Sequence, residues 1–577
     1  MKYFTKTILF LTIFVLMFTI VNPVIAADNT VIETDVVVVG GGGAGIVSAL
    51  KASENGAEVI LLEKTGYMGG ATMLSAGIVP AAGTSFQKEA DIEDTPAQMA
   101  KDILRPSHYS VKQDLVDVVA KRSSNIVEWM DELGVEWNLL TGFLYKGQSN
   151  YRMHQAKGKG AKLTKTLINE VYNRDNIKVL LETPGTGLLT RNNQKVLGVT
   201  AKNKDGKEML IKAENVILAT SGFAANEKML EKYIPEMTEA YPRVAPGATG
   251  EGIKWAQQLG ADVANMDAYQ GYAPISNKTK ESLDLSMLYR GGILVNTRVS
   301  RFVNEYKGYS ELSAHVVNQP DNIAYLIMDK NVAEGTSQLE KYKKDGILVK
   351  AESPEKLAQK INLNPEKLDE LFSDYREAIK NGEGKYNRTK LPDKWEAPFY
   401  GIEVTSDLRH TQGGLVINTE AQVLDTNGEV IENLYAAGGV TEGFSSSGGP
   451  AYMSGNGLLQ AFVFGELAGI NSANDLNEAA DKTAANKNLF KDGEYEGTGE
   501  GYKGPVEVLV KVEKGKIEEV KVLSHQDTPD IAESAIEKLT TSMEKNNKVE
   551  VDTVSGATNT SKGVIEAVKN ALKGAKK

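Results

Sequence analysis

Short runs of consecutive apolar residues alternate along this chain with amphipathic stretches, a pattern typical of helices packed on a parallel sheet. The runs Val36–Val39, Val59–Leu62 and Val216–Leu218 are interpreted as strands buried on both faces. A helical pattern joins the first two runs, and a long amphipathic pattern at Val111–Leu133 predicts a surface helix. The chain is therefore expected to have an α/β fold with a Rossmann-like sheet.

The turn after the first strand carries Gly40, Gly42 and Gly45, which is the G-x-G-x-x-G spacing. The first glycine permits a tight turn, the second lets a pyrophosphate approach the backbone, and the third lets the helix pack closely on the strand. The helix that follows would point its first N–H groups at the phosphates. The second strand ends at Glu63, at the sequence distance expected of an acid that holds the ribose hydroxyls. Together these features predict a dinucleotide-binding unit.

The alternating pattern is interrupted once, which divides the chain into segments. Residues 253–390 lack the alternation and are interpreted as an inserted cap, and the α/β pattern is expected to resume near Ala397. Farther on, the alternating runs 506–512 and 517–522 predict a hairpin, with two helices after it. The predicted segments are a signal peptide (1–26), a Rossmann-like nucleotide domain in two parts (33–252 and 391–470), an α+β substrate cap (253–390), a linker (471–490) and a small α+β domain (491–577).

The first residues predict a targeting segment. Lys2 and Lys6 precede the apolar run Ile8–Ile20, and small residues lead up to Ala26. This order is that of a signal peptide cleaved near Ala26, and it predicts a mature protein that is secreted or held in the cell envelope. The alternative is an uncleaved membrane anchor.

Composition narrows the chemistry that is expected. The net charge is −11 and there is no basic stripe with interleaved aromatic residues, which argues against nucleic acid as a partner. The chain has no cysteine, which excludes disulfides, thiolate metal sites, iron–sulfur clusters and C-x-x-C-H haem attachment. The histidines show no metal-ligand spacing, so no metal site is predicted. Redox chemistry would therefore use organic cofactors.

Residues from about Thr34 to Gly469 resemble the flavoprotein reductases that include soluble fumarate reductase and urocanate reductase. The motifs that carry the resemblance are Gly40–Gly45, Glu63-Lys64, Gly69-Gly70, Leu218–Phe223, Gly250–Gly252, Arg301-Phe-Val-Asn-Glu305, His410–Gly414 and Ala436–Gly438. The resemblance implies a non-covalent FAD. The residues predicted to bind it are Gly40, Gly42, Gly45, Glu63, Lys64, Gly69, Gly70, Ala71, Thr72, Ala76, Gly77, Thr220, Ser221, Gly222, Gly438, Gly439, Gly455 and Asn456.

Residues from about Gly493 to Leu572 resemble the FMN-binding domain. The stretch that includes Asp552, Ser555, Gly556, Ala557 and Thr558 is similar to the motif at which a flavin transferase joins FMN to a threonine hydroxyl. The resemblance implies a covalent FMN held by a phosphoester to Thr558.

The two resemblances imply a route for electrons. A membrane electron donor, either a quinol dehydrogenase or a flavinylated carrier, would reduce the FMN, and the FMN would reduce the FAD. The FAD would then transfer a hydride to an activated carbon–carbon double bond of a small unsaturated carbonyl compound. An FMN transferase would be needed for maturation.

The chain departs from the family where the substrate binds. Tyr309 stands at the position of the proton-donating arginine, Tyr452 at that of a carboxylate-binding arginine, and Tyr272 at that of a histidine, whereas His410 is retained. These tyrosines are similar to the active-site tyrosines of the 3-ketosteroid dehydrogenases. Because tyrosine cannot replace a bidentate arginine, we expect an enone or a monocarboxylic or aromatic enoate as substrate. Tyr309 is the predicted proton donor, and Tyr452 and His410 would polarise a carbonyl or bind a carboxylate.

The sequence leaves four other functional interpretations to consider. The protein could be a fumarate or urocanate reductase whose arginine lies elsewhere, with Arg290 and Arg409 as candidates. It could be an FAD-dependent ketone or ketosteroid dehydrogenase that works in the oxidative direction. A flavin-binding electron carrier is disfavoured by the inserted cap, and a structural or adhesive protein is disfavoured by the two flavin signatures and the lack of repeats.

Overall fold

The computed structural model describes residues 30–192, 195–485, 490–549, 551, 553–554 and 557–575. The predicted signal peptide, and Asp552, Ser555 and Gly556 of the predicted FMN motif, lie outside these residues. The chain divides into two compact units, with the boundary between Ser472 and Ala473.

The strands range from two to thirteen residues in length. In chain order they are β1 Thr30–Val39, β2 Val59–Leu62, β3 Ile78–Pro80, β4 Trp137–Leu139, β5 Met153–Ala156, β6 Ile177–Leu180, β7 Gly185–Arg191, β8 Lys195–Lys202, β9 Glu208–Leu218, β10 Tyr241–Pro242, β11 Val263–Ala264, β12 Tyr269–Ser276, β13 Ile293–Asn296, β14 Ala324–Met328, β15 Val349–Ala351, β16 Phe399–Thr411, β17 Gly414–Leu415, β18 Gln422–Leu424, β19 Val430–Ala436, β20 Gly493–Glu500, β21 Pro505–Glu513 and β22 Lys516–Ser524.

The helices occupy segments between these strands and after the last of them. They are α1 Gly43–Glu54, α2 Gly70–Leu74, α3 Ser85–Glu89, α4 Pro96–Leu104, α5 Gln113–Glu132, α6 Lys159–Tyr172, α7 Glu227–Tyr233, α8 Glu251–Gln257, α9 Ser286–Tyr289, α10 Tyr309–Val317, α11 Lys330–Glu334, α12 Leu339–Lys344, α13 Pro354–Lys360, α14 Pro365–Asn381, α15 Asn456–Ala485, α16 Pro529–Asn546 and α17 Thr558–Leu572. Short 3₁₀ turns occupy Pro235–Met237, Pro320–Asn322, Lys385–Asn387 and Gly438–Val440.

The first unit is built on a mixed sheet whose centre is parallel. Its strands lie in the order β18-β19-β8-β9-β1-β2-β6, and β7 pairs with β8. The strand β1 pairs in parallel with both β2 and β9. The residues of β1 from Val36 to Val39 are at most 5% exposed, because both faces of the sheet are covered. This sheet confirms the predicted Rossmann-like α/β fold.

The inserted region forms a second sheet in the order β10-β16-β14-β13, with β12 and β15 also paired to β16. The expectation that the nucleotide sheet resumes near Ala397 is wrong, because β16 pairs with the inserted strands β12, β14 and β15. The chain returns to the nucleotide sheet only with β18 and β19. A long apolar strand can join either sheet, and its period alone does not choose between them.

The second unit confirms the predicted hairpin, which is formed by β21 and β22. The structure adds β20, which pairs antiparallel with β21 and was not predicted. A methyl group on Gly497 or Gly499 of β20 would lie 2.2 Å from a carbonyl oxygen of α17, so these glycines let the helix lie directly on the strand. Glycine-rich strands give a weak sequence signal, which explains the missed strand.

The linker predicted at 471–490 is helical as far as Ala485, because α15 continues beyond Gly469, where the sequence pattern placed its end. Alanine, lysine and aspartate are compatible with a helix that lacks an apolar face. Across the described residues, no helix combines the length and the apolar character that crossing a membrane requires.

Candidate active site

One large cavity, of about 1260 Å³, opens inside the first unit. Its walls come from the turn between β1 and α1, the end of β16, the start of α10 and the start of α15. Predicted cofactor residues and predicted catalytic residues line this same cavity. Pockets of this size commonly hold a cofactor and a substrate together.

The three glycines after β1 have the separate roles that the fingerprint predicts. A methyl group on Gly40 would lie 2.4 Å from the carbonyl oxygen of Ala219, and the φ of Gly40 is +111°. A methyl group on Gly45 would lie 1.9 Å from the carbonyl oxygen of Gly40. A methyl group on Gly42 would meet no atom within 4 Å, and Gly42 lines the cavity. The open space beside Gly42, at the start of α1, fits a dinucleotide pyrophosphate.

The carboxylate of Glu63 helps to shape this turn. Its Oε2 accepts a hydrogen bond from the N–H of Gly41 at 2.9 Å, and its Oε1 accepts from the N–H of Thr65 at 2.8 Å. Oε1 also accepts from the Thr65 hydroxyl at 2.9 Å, whereas Oε2 keeps a second lone pair for a ribose hydroxyl. Beside it, Lys64 donates to Thr249 and pairs with Glu251 at 3.0 Å.

Most of the predicted cofactor residues line the cavity. They are Gly40, Gly42, Glu63, Lys64, Gly70, Ala71, Thr72, Ala76, Thr220, Ser221, Gly438, Gly439 and Gly455. The remaining ones, Gly45, Gly69, Gly77, Gly222 and Asn456, are not among the residues that line it. Gly77 has a packing role instead. A methyl group added there would lie 2.7 Å from the backbone nitrogen of Gly160, so the glycine allows this segment to lie close to α6.

Two buried polar atoms near the cavity make no hydrogen bond among the described residues. They are Thr220 Oγ1 and Asn456 Oδ1. Such atoms are rare in folded proteins, and a polar ligand can satisfy them. With the glycine turn and the start of α15, they give a donor and acceptor set that fits FAD, which supplies hydride chemistry when bound.

The predicted catalytic tyrosines come together in the cavity wall. The ring of Tyr309 stacks on Tyr272 at 4.9 Å and meets Tyr452 edge-on at 6.1 Å. The ring of His410 meets Tyr452 edge-on at 5.7 Å. These four side chains come from β12, α10, β16 and the segment before α15, so only the tertiary structure makes them neighbours.

Hydrogen bonding separates the roles of two of the tyrosines. The Tyr309 hydroxyl lies 2.7 Å from Ser454 Oγ, a residue that also lines the cavity. The Tyr272 hydroxyl donates to the backbone carbonyl of Leu283 at 3.0 Å. The proton of Tyr272 is therefore engaged by the protein, whereas Tyr309 is paired with a hydroxyl that can both donate and accept.

Burial keeps Tyr309, Tyr452 and His410 uncharged at ordinary pH. It raises the pKa of Tyr309 to about 12, against the opposing effect of the hydrogen bond with Ser454. Burial also raises the pKa of Tyr452 well above 10. It lowers the pKa of His410 to about 4, and the nearby charge of Arg409 adds to this effect. Both tyrosines therefore carry their protons, and His410 is uncharged.

The Arg301-Phe-Val-Asn-Glu305 motif has a structural role beside the site. Arg301 pairs with Glu305 at 2.6 Å, and the buried Arg388 pairs with the same carboxylate at 2.8 Å. Of the two arginines considered as alternative clamps, Arg409 lines the cavity and Arg290 does not. Sequence reasoning missed Ser454 and Arg243, which also line the cavity, because their place depends on contacts between distant segments.

In the second unit, Thr558 is the first residue of α17 and is exposed. The preceding Ala557 is buried and caps the helix. An exposed hydroxyl at a helix start is accessible to a modifying enzyme and favourably placed for a phosphate.

The fold and the cavity define a flavin-dependent oxidoreductase, and comparison with known proteins gives the family. Residues 35–458 match the FAD binding domain family, and residues 501–573 match the FMN-binding domain family. The chain belongs to this family of FAD-dependent enzymes that act on carbon–carbon double bonds.

Two relatives show the similarity in sequence. The chain is 34% identical over 444 residues to a fumarate reductase (cytochrome) of Shewanella frigidimarina. The aligned region covers 76% of this chain and 77% of the relative. It is 31% identical over 463 residues to a urocanate reductase of Eggerthella lenta. That aligned region covers 78% of this chain and 76% of the relative.

Two solved structures share the fold. The open conformation of a flavocytochrome c3 fumarate reductase matches with a TM-score of 0.68 and 29% identity, covering 78% of this chain and 79% of that one. A 3-ketosteroid-Δ4-(5α)-dehydrogenase of Rhodococcus jostii RHA1 matches with a TM-score of 0.64 and 27% identity, covering 78% of this chain and 99% of that one. The predicted resemblance to fumarate reductases and to ketosteroid dehydrogenases is thereby confirmed.

Proposed function

We propose that the protein is an extracytoplasmic reductase of a carbon–carbon double bond conjugated to a carbonyl group, with an enone or a monocarboxylic or aromatic enoate as substrate. The observation that carries the proposal is the grouping of Tyr309, Tyr452 and His410 in the wall of the cavity that contains the flavin-binding turn. Protonated tyrosines and a neutral histidine suit a carbonyl oxygen better than a pair of carboxylates.

Tyr309 is the proposed proton donor to the carbon beside the carbonyl. Its pKa of about 12 keeps it protonated, and the build-up of negative charge on that carbon provides the drive for proton transfer. Ser454, at 2.7 Å, can return a proton to the tyrosine between turnovers. The hydride would come from bound FAD.

Tyr452 and His410 are proposed to bind the carbonyl or carboxylate oxygen of the substrate. Their edge-on contact at 5.7 Å holds both rings toward one region of the cavity. Gln412 Nε2 lies 3.0 Å from His410 Nδ1 and fixes the ring. Hydrogen bonds aimed at the oxygen stabilise the charge that develops there during hydride addition.

The second unit is proposed to supply electrons through an FMN joined to Thr558 by a phosphoester. Attachment by a flavin transferase prevents loss of the cofactor outside the membrane, where a dissociated flavin is diluted. A membrane donor, either a quinol dehydrogenase or a flavinylated carrier, would reduce this FMN. Joining the two flavins in one chain raises the effective concentration of one near the other.

The first test follows flavin absorbance as the dithionite-reduced, flavinylated protein is mixed with fumarate, urocanate, cinnamate-type acids and neutral enones. The proposal expects rapid reoxidation by enones or monocarboxylic enoates, and slow reoxidation by fumarate and urocanate. It fails if none of these alkenes reoxidises the flavin faster than buffer alone.

A second candidate is a fumarate or urocanate reductase. The observation in its favour is the presence of two arginines, Arg243 and Arg409, in the cavity wall. Rapid reoxidation by fumarate or urocanate in the same panel would select this candidate.

A third candidate is a ketone dehydrogenase, which the tyrosines and the likeness to a ketosteroid dehydrogenase favour. Reduction of the oxidised protein by a saturated ketone, with no reoxidation by alkenes, would select it.

A further inference from the structure

The guanidinium of Arg409 lies in the cavity wall and takes no part in the proposed hydride and proton transfers. Arg409 Nε donates to Asp407 Oδ1 at 3.0 Å, and Nη2 donates to Ser282 Oγ at 2.6 Å and to Asp407 Oδ2 at 3.3 Å. Nη1 makes no hydrogen bond within the part of the chain that the structure describes. Arg409 is thus held on one edge and retains donors on the other.

The position of this guanidinium relates it to the proton donor. Its central carbon lies 4.2 Å over the ring of Tyr272, and Tyr272 stacks on Tyr309 at 4.9 Å. The ring of Tyr272 therefore contacts both Arg409 and Tyr309. In an unsaturated acid, the carbon that receives the proton is bonded directly to the carboxylate, so a carboxylate site near the proton donor is what the reaction requires.

Arg409 shares its acidic hydrogen-bond partner with a second arginine. The buried carboxylate of Asp407 is shared between Arg409 and Arg243, which pairs with it at 2.9 Å. Two cations therefore face one anion.

Other cations of the cavity wall have acidic partners. Lys64 pairs with Glu251 at 3.0 Å, and Arg105 pairs with Asp102 at 3.2 Å. Lys146 lies near Glu311, but that carboxylate pairs with Lys307, so this end of the cavity also has two cations for one anion. The Arg409 end is distinguished by its position, because Arg409 lies over the ring of Tyr272 in the tyrosine cluster.

Aromatic side chains also line the cavity near Tyr309. Phe143 stacks on Tyr145 with ring centroids 4.4 Å apart, and Tyr289 packs on Tyr306 at 5.1 Å. Phe143 remains 59% exposed and Tyr306 40% exposed, although both line the cavity. Exposed apolar side chains grouped at a cavity are typical of a binding surface for an apolar ligand.

We propose that Arg409, beside Tyr452 and His410, binds the single carboxylate of an aryl-substituted enoate and sets the specificity of the enzyme for that class, an inference that rests on the proposed function. A free carboxylate withdraws electrons weakly, and hydride addition to its β-carbon builds further negative charge on its oxygens. A guanidinium that forms two hydrogen bonds to the carboxylate stabilises that charge. The aromatic pairs receive the aryl group.

The test uses the flavinylated holoprotein and two substrates of one skeleton, cinnamate and the neutral 4-phenylbut-3-en-2-one. Arg409→Gln is expected to lower kcat/KM for cinnamate by about 10- to 100-fold, with less than about a threefold change for the ketone. Arg409→Lys should fall between, because lysine keeps the charge but not the planar pair of donors. Arg290→Gln is the matched control, since Arg290 lies outside the cavity wall, and should behave as the native protein.

Folding of the Arg409→Gln variant is checked by its FAD content and thermal midpoint. Asp407 keeps Arg243 as a partner in that variant. If the variant does not hold FAD, Ser282→Ala removes the Ser282 contact of Nη2 and leaves its bond to Asp407, and it should weaken cinnamate reduction but not that of the ketone. Equal losses for both substrates would overturn the specificity role.

The outcome also separates this inference from the proposed function. If the native protein reduces the ketone but not cinnamate, or prefers fumarate to cinnamate, the role of Arg409 in binding a single carboxylate is wrong while alkene reduction stands. If the native protein reduces no alkene, the proposed function itself fails.

Discussion

At the residue scale, the surroundings of each hydroxyl decide what a tyrosine can do. Tyr309 and Tyr272 stack on each other and are both buried enough to have raised pKa values, yet only Tyr309 has a hydroxyl partner. Tyr272 donates to a main-chain carbonyl and supports the neighbouring rings. Identical residue types in one cluster therefore differ in chemistry through their hydrogen bonds.

Removal of the Tyr309 hydroxyl should impair the proton-transfer step selectively. We expect Tyr309→Phe to lower kcat by about 10²- to 10⁴-fold, the usual contribution of a general acid, while FAD content is unchanged. Stopped-flow reoxidation of the reduced protein by the preferred alkene measures this. Tyr325→Phe is the control, because Tyr325 lies outside the cavity wall and makes only a long contact of 3.5 Å with Glu403. Equal rates for the native protein and Tyr309→Phe would refute the assignment.

Buried histidines should make the protein sensitive to mild acid. His154 is fully buried and bonded to Thr84, and burial lowers its pKa to about 4. Between pH 6.5 and 4 the unfolded chain binds a proton that the folded His154 does not, so stability falls as pH falls, by about 1.4 kcal/mol per pH unit. Chemical denaturation at pH 7 and pH 5 should show a smaller loss for His154→Gln. An unchanged pH dependence would contradict this prediction.

At the element scale, the contact of α1 with the turn after β1 holds the nucleotide end of the site in place. The helix begins at Gly43, directly after the cavity-facing Gly42, and its third residue, Gly45, touches the turn. The start of α1 therefore provides a packing contact at Gly45 and open space for a ligand at Gly42, within four residues.

Substitutions in this turn should separate stability from cofactor binding. Gly45→Ala places a methyl group against the Gly40 carbonyl and should destabilise the first unit by about 1–3 kcal/mol. Gly42→Ala meets no protein atom, so we expect a folded protein with lowered FAD content. Thermal unfolding and the flavin-to-protein absorbance ratio measure the two effects. A Gly42→Ala protein with full FAD content would show that the pyrophosphate does not approach this position.

At the scale of the whole molecule, the chain carries two flavin-family units with separate sheets and cores. A division of labour follows from the proposed function, with electron entry in the second unit and substrate reduction in the first. Each unit can therefore be disabled without changing the core of the other.

Loss of the Thr558 hydroxyl should uncouple the two units. Thr558→Ala should lack covalent FMN, seen as the loss of one FMN less water from the intact mass, and should not accept electrons from a membrane donor. Once reduced by dithionite, its FAD should still reduce the alkene. Asn559→Ala, an exposed neighbour, is the control and should retain FMN. Covalent FMN on Thr558→Ala would place the attachment elsewhere.

The sequence by itself determined the features that local chemistry specifies. Consecutive apolar residues predict β1, β2 and β9, the spacing of Gly40, Gly42 and Gly45 predicts the nucleotide turn, and both family resemblances rest on contiguous motifs. These signals are readable because strand burial and glycine geometry act over a few residues.

Only the tertiary structure decided which sheet β16 joins and which side chains meet in the cavity. The pairing of β12 with β16 and the Tyr309–Ser454 and Arg409–Tyr272 contacts join segments more than a hundred residues apart, and Arg388 joins the Arg301–Glu305 pair from 83 residues away. Such contacts depend on the complete packing of the chain, so no local pattern of residues records them.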